Sequence, residues 1–186
     1  ENINGIFYFR TKAKFKKALD IPFIKHIYNM KLFEKRVEQV VLENDIDLIH
    51  AHSSFFVGKP MLNVAKKHNI PFIYEVRGIW EDTAVSSNKM KHNGFKYQYY
   101  RKQENFVIKN ADSVVCISQG LKNDINSREL GVNNIQVIPN GVDIKNFNQK
   151  ISLQEMEEIK ERLNIKEEII LGYVSSFTKM EGIDLL

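Results

Sequence analysis

Apolar residues recur at Ile27, Met30, Phe33, Val37, Val40 and Val41. This is the three-and-four spacing that gives a helix one buried stripe. Asn44-Asp45 closes that helix. Beyond it the pattern changes to short apolar runs at residues 47–52, 70–76, 112–117, 135–138 and 169–174. Runs of roughly four to eight residues, rich in Val and Ile, read as strands. Helical segments separate them. Pro60 suits the first turn of one, with Met61, Val64 and Ala65 inward and His68-Asn69 as its end. Residues 95–110 form the next, rich in Tyr and basic residues. Ser118 is the N-cap of a third, for which Gly131 is the end signal. Pro139-Asn140-Gly141 is a turn, and Ser152-Leu-Gln-Glu155 is a capping box opening a charged helix. Residues 3–9 read as a short N-terminal strand. Residues 83–94 show no apolar period and are expected to be a long loop, of the kind often functional beside a ligand edge.

This alternation predicts an α/β fold, a Rossmann-like, doubly wound parallel sheet with helices on both faces. The expected domains are residues 1–150 as one Rossmann-like unit, 151–167 as a connector helix and 168–186 as the start of a second unit. The strand at 169–174 would belong to that second unit, without a sheet to receive it. An apolar strand in that position is expected to be disordered or to pair with a neighbouring copy.

Composition narrows the class. The chain has 186 residues, 43% hydrophobic and 27% charged, which is ordinary globular usage. Its 27 basic and 23 acidic side chains leave a net charge of +4, far from the excess of a nucleic-acid packaging protein, so no nucleic-acid partner is expected. The single Cys, Cys116, rules out an internal disulfide framework and fits a reducing compartment. No apolar run is long enough to span a bilayer, and the first residues do not resemble a secretion signal. The chain begins at Glu1 and stops inside an apparent helix, so a piece of a longer protein is expected.

In such sheets ligands bind outside the carboxyl ends of the strands. Four polar residues fall there: His50, His52, Glu75 and Arg77. His50 and His52 are two apart on a strand and share a face. Three readings are open for them: a metal-chelating pair completed by Glu75, a structural histidine (for His50 above all), and a hydrogen-bond donor aimed at a substrate (for His52). Glu75, Arg77 and Trp80-Glu81-Asp82 read either as a local salt-bridge cluster or as a sugar-binding wall. In the second case Trp80 offers a flat apolar face and the carboxylates accept hydroxyl bonds. Ser175, Ser176, Thr178 and Lys179 lie between a strand and a helix N-terminus, where small residues and a cation suit a phosphate. The basic segments 10–17 and 89–102, interleaved with Phe15, Phe95, Tyr97, Tyr99 and Tyr100, read as solvated faces or as contacts with an anionic membrane or acceptor.

Four blocks carry a family resemblance. These are Ile49-His-Ala-His-Ser-Ser with Ile70-Pro-Phe-Ile-Tyr-Glu-Val-Arg-Gly-Ile-Trp-Glu-Asp, then Ala111-Asp-Ser-Val-Val-Cys-Ile-Ser, then Val137-Ile-Pro-Asn-Gly-Val-Asp143, and finally the run from Gly172 to Leu186. In that order they resemble the N-terminal domain of a family 4 glycosyltransferase, a retaining enzyme of GT-B fold, followed by the beginning of its C-terminal domain. The resemblance implies that His52 is the active-site histidine facing the donor sugar. It implies that Ser176 and Lys179 hold the nucleotide phosphates, while Glu75, Arg77 and Trp80 are taken as substrate contacts from the sugar-wall reading of the residues themselves. Two positions depart from the family pattern: Ser175 stands where a glycine is usual, and Glu181 where a lysine is usual.

The implied activity is transfer of a sugar from a nucleotide-sugar donor to a cell-envelope glycan or lipid-linked acceptor. No cofactor beyond the donor and no metal are expected. The implied location is cytoplasmic, peripheral on the membrane face. Two alternatives remain, a non-catalytic Rossmann-like binding subunit and a metal-dependent hydrolase built on His50 and His52.

Overall fold

The computed structural model describes residues 1–11, 22–148, 151–167, 169–175 and 181–183. The chain divides into two units, Glu1–Pro139 and Asn140–Leu186. In the first, the N-terminal segment is a hairpin, β1 (Asn2–Ile3) antiparallel to β2 (Ile6–Phe7), where a single strand was expected. Asn4-Gly5 folds it: both residues take left-handed φ values, 54° and 84°, which an Asn-Gly turn supplies at low cost.

Helix α1 (Pro22–Glu43) precedes the strands β3 (Ile49–His52), β4 (Phe72–Val76), β5 (Ser113–Cys116) and β6 (Ile135–Val137). These form one sheet in sequential order, and every pair is parallel. Parallel neighbours need long crossovers. These are supplied by α2 (Phe55–His68), by α3 (Trp80–Ser86) with α4 (Phe95–Asn110), and by α5 (Gln119–Ser127). The result is α/β, a Rossmann-like parallel sheet flanked by helices.

Strand side chains alternate, and the alternation sorts the core. Ile49, Ala51, Phe72, Tyr74 and Val76 are buried. Gly58 on α2 explains how closely the helices approach this face. A Cβ there would lie 2.5 Å from the Tyr74 ring and 3.0 Å from Val107 on α4. Gly58→Ala is therefore expected to lower stability by about 1–3 kcal/mol, the cost of forcing a packed core apart. The gain in helix propensity, about 1 kcal/mol, offsets only part of this. Urea denaturation checks it, and an unchanged midpoint would contradict the close approach. The opposite face, carrying His50, His52, Ile73 and Glu75, is exposed or half-buried.

Three local expectations change. Helix α2 begins at Phe55, so Pro60 sits inside it rather than in its first turn. The N-cap Ser54 makes no side-chain cap bond. The buried Glu104 of α4 caps the helix instead, accepting from Phe55 N–H at 2.8 Å and from the Tyr74 hydroxyl. The stretch expected to be a loop at 83–94 is helical as far as Ser86. Helix α5 ends at Ser127, and Gly131 lies in the following loop with φ 71°. The cap at Ser118 is present: its hydroxyl accepts from Leu121 N–H at 3.2 Å.

In the second unit, α6 (Ile144–Phe147) precedes α7 (Leu153–Leu163). Helix α7 opens with the expected capping box, Glu155 N–H to Ser152 Oγ at 3.2 Å and Ser152 N–H to Glu155 Oε2 at 2.9 Å. The strand expected over 169–174 is not formed. Ile169 and Leu171 are exposed, and no described strand pairs with them. A strand exists only through its partners, so an apolar run cannot make one alone. Among the described residues no helix is long and apolar enough to cross a membrane.

Candidate functional site

The register of β3 against β4 builds the site. His52 pairs with Glu75 across the parallel ladder, and His50 pairs with Ile73. Residues level with one another on adjacent strands project to the same face, so both histidines and Glu75 converge. Glu75 is the hub. Its Oε2 lies 3.2 Å from His50 Nε2, its Oε1 3.6 Å from His52 Nδ1, and Arg77 Nη1 donates to Oε1 at 2.9 Å. The two imidazoles lie side by side, with centroids 4.7 Å apart. Glu75 is largely covered by its partners (side chain 13% exposed), whereas His50 and His52 are 41% and 51% exposed. The carboxylate is thus a sheltered anchor and the rings are the accessible groups.

The loop after β3 is tied to the loop after β4. Ser53 N–H donates to the Glu75 carbonyl at 2.8 Å, and Arg77 N–H donates to Ser53 Oγ at 3.0 Å. These bonds hold the strand ends together directly beside the histidines.

The remaining sequence candidates separate. Trp80 opens α3 three residues beyond Arg77, with its ring about half exposed. Glu81 cannot serve a sugar-binding wall, because it is 1% exposed and points into the protein. There it meets Arg128 Nη2 at 3.3 Å and Arg101 Nη1 at 3.6 Å. Asp82 accepts from the Tyr97 hydroxyl at 2.8 Å. Ser176 and Lys179 lie outside the described residues, as do the basic positions 12–17. His68, on the inner side of α2, is held by Glu38 of α1 at 3.0 Å.

Sequence reading missed the buried carboxylates. Burial pushes the Glu104 carboxyl up, against the pull of the Tyr74 hydroxyl and Phe55 N–H bonds. Burial likewise pushes the Glu81 carboxyl up, partly countered by Arg128 and Arg101. A usable signal existed only for Glu104, which stands three and four residues before the buried Val107 and Ile108 of α4, whereas Glu81 is the one buried residue of α3.

The cluster of His50, His52 and Glu75 could also hold a cation, because one ligand atom from each lies within 4.8 Å of the others. Arg77 opposes this by placing a fixed positive charge on the same carboxylate.

Comparison with known proteins gives the family of the chain. The family model described as Glycosyltransferase Family 4 matches residues 9–146, most of the chain and all of the parallel sheet. The chain belongs to glycosyltransferase family 4. It is also similar to the alpha-monoglucosyldiacylglycerol synthase of Acholeplasma laidlawii, with 24% identity over 168 residues, covering 84% of this chain. The chain spans 40% of that relative's length.

Proposed function

We propose that this chain is the acceptor-side part of a retaining glycosyltransferase that moves a sugar from a nucleotide-sugar to a lipid-linked acceptor. Family membership supports the transfer chemistry, and the relative's name, a synthase of a glucosylated diacylglycerol, supports a lipid acceptor. The observation that carries the reading is the Glu75-anchored imidazole of His52. Its Nδ1 side is turned to the carboxylate and its ring is half exposed at the carboxyl edge of the sheet.

In the reaction the bond from the anomeric carbon to the leaving phosphate oxygen breaks, and the phosphate keeps the electron pair. The acceptor oxygen bonds to the same carbon and loses its proton. Positive charge builds on the sugar ring and negative charge on the phosphate. A hydrogen-bond donor fixed in advance beside the leaving oxygen, where negative charge builds, acts without reorganisation at the moment of reaction. Glu75 holds the ring in orientation, and Arg77 holds Glu75. Ser176 and Lys179 are assigned to the nucleotide phosphates through the resemblance of their loop.

Incubating the 186-residue chain and the full-length polypeptide with radiolabelled nucleotide-sugars and lipid extract tests the proposal. Glycolipid is expected from the full-length polypeptide and none from this chain alone, because chemistry of this fold takes place between two domains. Transfer by this chain alone would overturn the assignment of the donor site to the second domain. No transfer by either would count against the activity.

A second reading is a metal-dependent hydrolase, favoured by the convergence of His50, His52 and Glu75. Titration with Zn²⁺ followed by calorimetry separates the two. Micromolar binding abolished equally by His50→Ala and His52→Ala would favour the metal.

A further inference from the structure

On the helical side of the first unit, α1, α2 and α4 enclose a cavity of about 410 Å³, within the size range of small-molecule sites (roughly 300–1,000 Å³). Its lining is almost entirely apolar. Ile27 and Met30 come from α1, Phe56 from α2, and Phe95, Tyr99 and Tyr100 from α4. The walls are set by ring packing. Phe56 stands edge-on to Tyr100, with centroids 5.5 Å apart, and the buried Phe55 supports the same ring at 5.2 Å. Such edge-to-face contacts fix the rings in place, so the space is preformed. Burial also holds the Tyr100 phenol above its ordinary range.

A sugar is a poor occupant, because it would leave its hydroxyls without partners against this lining. A hydrocarbon chain loses nothing there. The charged groups at the rim say what the chain is attached to. Lys96 lines the cavity, its Nζ 5.6 Å above the Tyr100 ring, and His26 lines the opposite wall. From Lys89 to Gln103 the chain carries Lys89, Lys91, Lys96, Arg101 and Lys102 and no acidic residue. Phe95, at the mouth, is 91% exposed. An apolar slot with Lys96 at its rim, in a segment of chain that carries no acidic residue, is complementary to an amphiphile with a negative head group.

Short chain connectivity links the cavity to the strand that carries His52. Phe56 lies in the first turn of α2, which follows His52 after only Ser53 and Ser54. We propose that this cavity holds an aliphatic chain of an anionic lipid, seated so that its head group lies against Lys96, beside the edge that carries His52. The lipid's role as acceptor rests on the glycosyl-transfer reading above. Its binding stands on the cavity alone.

The test uses dioctanoyl phosphatidylglycerol and dioctanoyl phosphatidylcholine, both kept monomeric, titrated calorimetrically into the 186-residue chain. Saturable binding is expected, at least fivefold tighter for phosphatidylglycerol. Ile27→Trp fills the cavity and is expected to weaken both lipids at least tenfold. Lys96→Glu lies at an exposed position and is expected to abolish the preference for phosphatidylglycerol while keeping the wild-type melting temperature. Failure of saturable binding, or binding indifferent to both substitutions, would overturn the proposal. So would lipid binding that only dissociates a dimer, because a second copy would then be the occupant. Lipid binding without glycosyl transfer in the full-length polypeptide would count against the catalytic reading and leave the lipid site standing.

Discussion

Replacing His52 by alanine in the full-length polypeptide is expected to lower kcat by about a hundredfold or more, the scale of losing one fixed transition-state donor. KM for the nucleotide-sugar should change much less, because the leaving oxygen gains its negative charge only as the bond to the anomeric carbon breaks. The substitution should be well tolerated by the fold, since the His52 side chain is 51% exposed and its contact with Glu75 spans 3.6 Å. His50→Ala is expected to act differently. His50 lies closer to Glu75, at 3.2 Å, and two residues further back from the strand end. Its loss loosens the anchor and is expected to lower kcat by less than tenfold. Steady-state kinetics of the two variants at saturating acceptor decides between the readings. Equal losses from both would sink the single-donor reading and favour a shared metal.

Arg128→Ala is expected to be among the most destabilising single changes in the first unit. Arg128 is almost wholly buried, its side chain 3% exposed, and it ties three helices together. It contacts Glu81 of α3 at 3.3 Å, donates to Asn105 of α4 at 2.9 Å, and meets Asp124 of α5 at 2.6 Å. Removing it leaves the buried Glu81, among the described residues, with Arg101 at 3.6 Å as its remaining ion pair. Removing the nearer partner of a buried ion pair costs about 3–5 kcal/mol, and Arg101 offsets part of it here.

The loss should depend on pH, with a definite sign. Burial raises the Glu81 carboxyl above its unfolded value, and removing Arg128 raises it further. Between the unfolded and folded values the folded state holds the extra proton, so stability falls as pH rises through that window. The deficit of Arg128→Ala is therefore complete above the folded value and shrinks as the pH falls toward the ordinary carboxylate range, near 4.3. Urea midpoints of wild type and variant at pH 8 and pH 5 measure this. A deficit equal at both values would show that Glu81 is not the group left uncompensated.

The sequence by itself determined the elements whose signal is local. The apolar spacing from Ile27 to Val41 makes α1, the boundaries Phe95 and Asn110 of α4 are those of the structure, and the caps at Ser118 and Ser152 form as their side chains dictate. That His50 and His52 share a face also followed from the two-residue period of a strand. The tertiary structure alone decided which partners meet. Glu75 joins the histidines only because β3 and β4 pair in one parallel register, and a shift by one residue would turn Glu75 to the other face. Glu81 looked like a surface carboxylate beside Trp80, yet Arg128, 47 residues further along, makes its burial tolerable. Glu104 caps a helix that begins 49 residues before it. The cavity needs three helices at once. Helix and strand periods are set by near neighbours along the chain. Whether a charge is buried, paired or aimed at a ligand is set by groups brought close only when distant segments pack.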